Sequence, residues 1–279
     1  MLEQNHDYKI KNLISDKTRD NKNMKRFYLR SLSTGEEYKC VIWEDMIASL
    51  EDNVIKNGNI INVISFVFKE NFNTYTITKL KLVKESPVGL PPQTRDKLYE
   101  RLISTTNSFK NEKLKTAILE ELSKNEKLLK ISSAAERMHH NYVGGLLLHI
   151  NECLDISQKL FEITYQKIDR ELVLAACITH DLGKMFEYEV DEETGDIQRN
   201  EKFDQSWLSH IYYGFSWANN NGFDKLAHII ASHHGRIDWG AIVEPKTIEA
   251  RLFHHIDDIS AHLGRLGVDE IDSLNVYKK

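Results

Sequence analysis

"ESPVGLPPQTRD", residues 85–96, holds three of the four prolines in the chain. Proline fixes φ and removes a backbone donor, so the stretch can continue neither a helix nor a central strand. It marks residues 86–96 as a linker, and the hydrophobic period differs on its two sides.

On the N-terminal side the pattern is β. "RFYLRSL" (26–32), "EYKCVIW" (37–43), "NIINVISFVF" (59–68) and "TYTITKLKLV" (74–83) alternate or are rich in β-branched residues, with "STGE", "KNGN" and "ENFN" as turn candidates. Short strands at this spacing predict a small antiparallel barrel over residues 1–85. "EDMIASLED" between two of them predicts a short helix. On the C-terminal side, residues 97–279, the period is helical. "EKLKTAILEELSKNEKLLKI", "GGLLLHINECLDISQKLFEI", "DRELVLAACITHDLGKMF", "DKLAHIIASHH" and "TIEARLFHHIDDISAHL" place apolar residues three and four apart. The fold class is therefore mixed: an N-terminal β-barrel followed by an all-α bundle.

At 279 residues and 41% hydrophobic, the chain can build a core for each part. No apolar stretch approaches the ~20 residues of a membrane span, and the N-terminus lacks the apolar centre of a secretory signal. Cys40, Cys153 and Cys177 stand far apart, as reduced thiols of a cytoplasmic protein do. The net charge of −5 does not advertise nucleic-acid binding, but it is uneven. Residues 1–85 carry 14 Lys and Arg against 12 Asp and Glu, and the remainder 23 against 30. The first part does not repel phosphate, and the second would gather cations.

Eleven of the twelve histidines fall between His139 and His262. Taken singly, most have an ordinary reading as packed or surface residues. Taken in order they form H…HD…H…HH…D across separate helices: His149, His180 with Asp181, His210, His233 with His234, and Asp257. A buried carboxylate costs several kcal/mol unless paired or metal-bound, and Asp181 follows an apolar helix at the end where the macrodipole disfavours it. Imidazole and carboxylate ligands suit Mn, Fe, Co, Ni or Zn, and the absence of thiolates argues against a structural zinc finger. An aspartate shared by two ions, with histidines on each, would activate a water as nucleophile. Lys184, one turn beyond Asp181, is placed to meet an anion.

This skeleton resembles the HD-domain metal-dependent phosphohydrolase superfamily, which is all-helical. With "MHHNYVGGLLLHI" (138–150), "HHGRIDWG" (233–240) and the leading barrel, the chain looks like the YhaM-type 3′→5′ exoribonucleases, an OB-fold joined to an HD domain. The resemblance implies a hydrolase, typically manganese-supported, that shortens single-stranded RNA from its 3′ end and releases nucleoside monophosphates. Single-stranded DNA remains a second candidate substrate. Carried over by position, His149, His180, Asp181 and Asp257 would hold a first ion. Asp181 would bridge to a second ion on His210 and on His233 or His234, with His233 favoured and His234 nearer the substrate. Asp181, Lys184 and His234 would then be the catalytic residues. Lys184, His139, His140 and Tyr142 would contact phosphate or nucleotide. The barrel would bind a strand by stacking on aromatics such as Trp43, Phe66 and Phe68, although each is three times in four simply core. Rival readings are a phosphohydrolase of free nucleotides or cyclic dinucleotides, and a non-catalytic nucleic-acid-binding regulator. Faces such as "AILEELSKNEKLLKI" (117–131) can pack within the domain or against a second copy, so a homo-oligomer stays open.

Overall fold

The computed structural model describes residues 1–264 apart from 19, 52, 53, 137, 207 and 208. Residues 265–279, expected as the end of the helical domain, lie outside the described residues. The chain divides into a barrel unit, Met1–Val88 with Glu193–Gly195, and a helical unit, Gly89–Glu192 with Asp196–Lys279.

Five strands build the barrel: β1 (His6–Lys17), β2 (Asn23–Ser31), β3 (Glu37–Trp43), β4 (Ile60–Lys69) and β5 (Thr74–Lys84). They close in the order β1-β2-β3-β5-β4, with β1 also paired to β4 and a parallel join of β3 to β5 at Cys40 and Tyr75. This is an OB-like arrangement. A short helix, α1 (Glu44–Ile47), follows β3, where a helix was expected. Strand β1 escapes the alternation rule because a register shift between Lys11 and Ile14 changes which residues face inward. Side chains that alternate inward, including Ile10, Phe27, Leu29, Cys40, Ile42, Ile61, Val63 and Ile77, fill the interior. Their neighbours point outward. Lys11, Tyr28 and Lys39 stand side by side across β1, β2 and β3.

The helical unit begins inside the proline-rich stretch. Leu90 N donates to Val143 O at 2.9 Å, and α2 (Pro92–Asn107) starts at Pro92. Proline suits the first helical position, where its missing N–H would have had no partner, so residues 92–96 are helix rather than linker. Then come α3 (Glu112–Lys124), α4 (Glu126–Ile131), α5 (Gly145–Ile163), α6 (Arg170–Thr179) and α7 (Lys184–Glu187). A two-stranded hairpin, β6 (Tyr188–Val190) and β7 (Ile197–Arg199), interrupts the region read as all-helical. Its strands are too short to show a period of two. The unit continues with α8 (Glu201–Gln205), α9 (His210–Asn220), α10 (Asp224–Ser232) and α11 (Ile248–Leu263). Side chains cap several starts: Asn111 accepts from Leu114 N, Asp169 from Leu172 N and Thr247 from Ala250 N. Helix α5 is buried from Gly145 through Asn151, so it runs through the centre, against α2, α4, α6 and α11. Leu146, Ile150, Val173, Ile178, Ile229, Ile230, Phe253 and Ile256 are fully buried there, each stabilising by about 1.5–3 kcal/mol. Among the described residues, no helix is long and apolar enough to cross a membrane.

Candidate metal centre

Five elements of the helical unit bring their polar residues to one point. Helix α5 supplies His149 from its buried face, and the end of α6 supplies His180 and Asp181. His210 opens α9, His233 follows α10, and Asp257 comes from α11. Gly183 lets the Asp181 turn lie against the start of α9, since a Cβ there would sit 2.3 Å from the His210 carbonyl oxygen.

Asp181 sits between two sets of imidazoles. Its Oδ2 lies 3.5 Å from His149 Nε2 and 3.4 Å from His180 Nε2, with Asp257 Oδ1 3.1 Å from His149 Nε2 on the same side. Its Oδ1 faces His210 Nε2 at 3.4 Å and His233 Nε2 at 3.6 Å. Lys184 Nζ closes on Oδ2 at 2.6 Å.

The tautomers explain why these groups converge. Each of the four histidines has Nδ1 against an acceptor. His149 Nδ1 meets Ser260 Oγ at 2.9 Å, and His180 Nδ1 meets the Ala176 and Cys177 carbonyls at 3.2 Å. His210 Nδ1 meets Glu187 Oε2 at 2.6 Å, and His233 Nδ1 meets Ile230 O at 2.7 Å. With the proton on Nδ1, a neutral imidazole presents a lone pair at Nε2. All four Nε2 atoms face the same carboxylate. Asp181 Oδ1 and His210 Nε2 are buried and make no hydrogen bond. Lone pairs facing lone pairs in a dry pocket are repulsive until a cation sits among them. The donor set therefore fits divalent cations. The trios His149–His180–Asp257, His180–Asp181–His233 and His210–His233–His234 each bring ligand atoms close enough for one ion.

Electrostatics agree with that fit. Burial works against the Asp181 carboxylate, but Lys184 and His180 hold it well below the usual range. Burial likewise opposes ionised Asp257, which His149 and His180 keep low. Burial would lower the His180 imidazole, yet Asp181 and Asp257 carry it up to about 10, the pull of two carboxylates on any positive charge placed between them. Burial lowers His149 and His233, and brings His234 to about 4.

The other residues singled out from sequence divide. His234 is half-buried, its Nδ1 3.1 Å from Trp239 O and its ring beside His210. His139 lies beside His149, with ring centroids 5.3 Å apart, and burial and Lys184 lower it to about 2. His140 does not face the centre. It is fully buried and its Nε2 is engaged by Glu152, because the left-handed backbone at φ 47° turns its ring inward. Tyr142, expected as a nucleotide contact, packs in the apolar core, since it sits directly before the turn into α5. In the barrel unit, Trp43 and Phe68 are exposed at 41% and 39%, whereas Phe66 packs against the barrel core and Tyr75. His228, His254 and His262 bond to backbone groups.

Four supporting residues were not anticipated. Glu187 holds His210 and is held by Arg199, with Oε1 3.0 Å from Nη1. Ser260 holds His149 and donates to Glu152 at 2.7 Å. Helical spacing carried a signal for two of them, because Glu152 and Ser260 each lie three residues beyond a predicted ligand on its own helix. Glu187→Ala should weaken metal binding roughly 10–100-fold, by freeing the His210 ring, while leaving helix content unchanged. Competition with a chromogenic chelator measures this, and an unaltered affinity would show that Glu187 merely fills space.

In the helical unit one carboxylate thus lies between two imidazole sets, with a lysine beside it, an arrangement suited to metal-assisted hydrolysis of a phosphate ester. Residues 146–262 match the HD domain family. Across the wider chain there is similarity to the 3′-5′ exoribonuclease YhaM of Oceanobacillus iheyensis, 26% identical over 245 residues, which is 84% of this chain and 73% of that protein. No solved structure matches the chain.

Proposed function

We propose that the protein is a 3′→5′ exoribonuclease acting on single-stranded RNA with two divalent cations, manganese foremost. The observation that carries this reading is the division of Asp181, one oxygen toward His149 and His180 and the other toward His210 and His233. His149, His180, Asp257 and Asp181 Oδ2 would hold one cation; His210, His233 and Asp181 Oδ1 the second. When bound, the cations supply positive charge opposite the phosphodiester oxygens and make water acidic enough to act as a nucleophile near neutral pH.

The chain's own residues do the rest. Lys184 Nζ neutralises Asp181 Oδ2 in the cation-free protein. Beside a cation held there, the ammonium would be available to a phosphate oxygen as a point charge. His234 keeps its Nδ1 proton on the Trp239 carbonyl, so its Nε2 accepts a hydrogen bond from the attacking water and orients it. Water adds to phosphorus, the P–O3′ bond breaks, and the departing oxygen takes up a proton. A nucleoside monophosphate leaves and the strand is one residue shorter.

The barrel supports a polymer substrate over a free nucleotide. Tyr28, Lys11 and Lys39 make a basic, aromatic-centred row on the strand 2–3 face, the surface with which OB-folds bind oligonucleotides. Similarity to an exoribonuclease over most of the chain supports the same reading. The test uses RNA and DNA strands labelled at either end, incubated with protein and Mn²⁺ or with EDTA. The expected result is stepwise shortening of RNA from its 3′ end that EDTA stops. Internal fragments, or shortening from the 5′ end, would refute the proposal.

A further inference from the structure

We infer that Arg199 is a positioning residue for the second cation: through Glu187 it sets the His210 imidazole, and Asp204 holds the guanidinium in place. The inference rests on the two-cation reading and adds to it the side chains that decide whether the second ion is kept.

His210 is held unlike the other imidazoles of the centre. His180 and His233 have Nδ1 against carbonyls of the helices they follow, and His149 has it against a neutral hydroxyl. His210 instead opens α9, and Ser209 before it makes no capping bond with its side chain. No turn of its own helix precedes it, so no carbonyl of that helix lies behind the ring. Glu187 fills the place from another element. Its Oε2 lies 2.6 Å from His210 Nδ1 and 3.3 Å from His210 N. One oxygen thus fixes both ring and main chain, with Nε2 left 3.4 Å from Asp181 Oδ1. The dipole at the start of α9 favours a carboxylate there as well.

Glu187 is 5% exposed, and a carboxylate so buried is costly unless a cation faces it. Arg199 is that cation, with Nη1 3.0 Å from Oε1, the oxygen that His210 does not use. The guanidinium is fixed in turn by its other edge. Its Nε and Nη2 lie 3.0 and 2.7 Å from Asp204 Oδ1, and its Cζ is 5.9 Å from the centre of the Tyr188 ring. The register of the β6–β7 hairpin brings these groups together. Arg199 pairs with Tyr188, the residue after Glu187, and Asn200 N donates to Glu187 O at 2.9 Å. A slip of one residue would carry Arg199 to the opposite face. Lysine, a point charge without a fork, could not serve two carboxylates from two edges.

The hairpin and α8 thereby acquire a task. The chain leaves the centre after Glu187 and returns at His210, and Arg199 is the side chain that reaches back from between them. The side chains of Arg199 and Asp204 are each 43% exposed, so the relay runs from solvent to a buried imidazole. Exposed pairs contribute little to stability, which makes orientation the better account of this one. Because the relay ends on His210, it bears on the second cation and leaves the His149, His180 and Asp257 set to its own supports.

The experiment titrates the metal-free full chain with Mn²⁺ and follows electron paramagnetic resonance. Free Mn²⁺, a single bound ion and a spin-coupled pair give different spectra. Wild type is compared with Arg199→Gln, Glu187→Gln and the double variant, with the fold checked by circular dichroism. Wild type should take up two ions and show the coupled pair. Arg199→Gln should keep the first ion at wild-type affinity and need roughly tenfold or more Mn²⁺ to form the pair. Since Arg199 acts through Glu187, its loss should matter less in the Glu187→Gln background than in wild type. Pair formation by Arg199→Gln at the wild-type concentration, equal weakening of both ions, or full additivity in the double variant would each overturn the inference. If Arg199→Gln does not fold, Arg199→Lys, which keeps the charge and loses the fork, is read by the same criteria. A wild type that takes up one ion only refutes the two-cation reading and the inference with it. Two ions in wild type and no effect of Arg199 refute the inference alone.

Discussion

Asp181→Asn should reduce hydrolysis by roughly 10³-fold or more, because a metal-bound site contributes several kcal/mol of charge stabilisation and each 1.4 kcal/mol is tenfold in rate. The argument is geometric. Among the described residues, no other carboxylate has one oxygen toward His149 and His180 and the other toward His210 and His233. Asparagine retains the shape, removes the charge, and can offer only one oxygen. A second effect separates loss of metal from loss of fold. In the cation-free protein Asp181 neutralises Lys184, which is 6% exposed, so the variant keeps a buried ammonium without its carboxylate. Breaking a buried pair from one side costs about 3–5 kcal/mol, and the variant should unfold at lower temperature than cation-free wild type. Added Mn²⁺ should raise the midpoint of wild type, in line with mass action on a folded-state site, and leave that of the variant nearly unmoved. Differential scanning calorimetry with and without EDTA reads both effects. An Asp181→Asn protein still stabilised by Mn²⁺ and still active would show that the centre does not depend on this bridge.

The candidate centre was unusually legible from the sequence, for a physical reason. Histidine paired with aspartate at the end of an apolar helix is costly without a cation, so His180 and Asp181 stand out in the sequence alone. His149, His210, His233 and Asp257 meet them in space. The proposed roles of those residues rest on that convergence. What the sequence concealed were groups whose signal is not local. Strand β1 was hidden by a register shift, and the β6–β7 hairpin by its brevity. His140 reads as a motif histidine, yet its left-handed backbone turns it toward Glu152. Nothing in "HHNY" announces a positive φ in a residue other than glycine. Phe66 and Phe68, alternate residues on β4, share a face, and their exposure still differs. Both rings lie against Tyr75, at 5.2 and 4.7 Å, but only Phe66 also packs against the barrel core. Alternation gives the side of a strand and not the depth of what covers it.

That difference in depth makes the barrel's aromatics separable by experiment. Trp43→Ala and Phe68→Ala should each weaken binding of single-stranded RNA by roughly 5–150-fold, the range expected when about 1–3 kcal/mol of base stacking is lost. Both rings are exposed, so neither change should lower the unfolding midpoint by much. Phe66→Ala should do the opposite, destabilising the barrel by removing packing next to Tyr75 with a smaller direct effect on affinity. Lys39→Gln, beside Tyr28 on the outer face, should flatten the salt dependence of binding, since one phosphate contact fewer releases one counter-ion fewer. Turnover of a small chromogenic phosphodiester serves as the control for all four, because such a substrate engages the metal centre and no strand-binding surface. Fluorescence anisotropy with labelled RNA at two salt concentrations, beside that turnover assay, gives the full set. Should Trp43→Ala and Phe68→Ala leave RNA affinity intact, the barrel holds its strand elsewhere, and the row of Lys11, Tyr28 and Lys39 becomes the surface to test next.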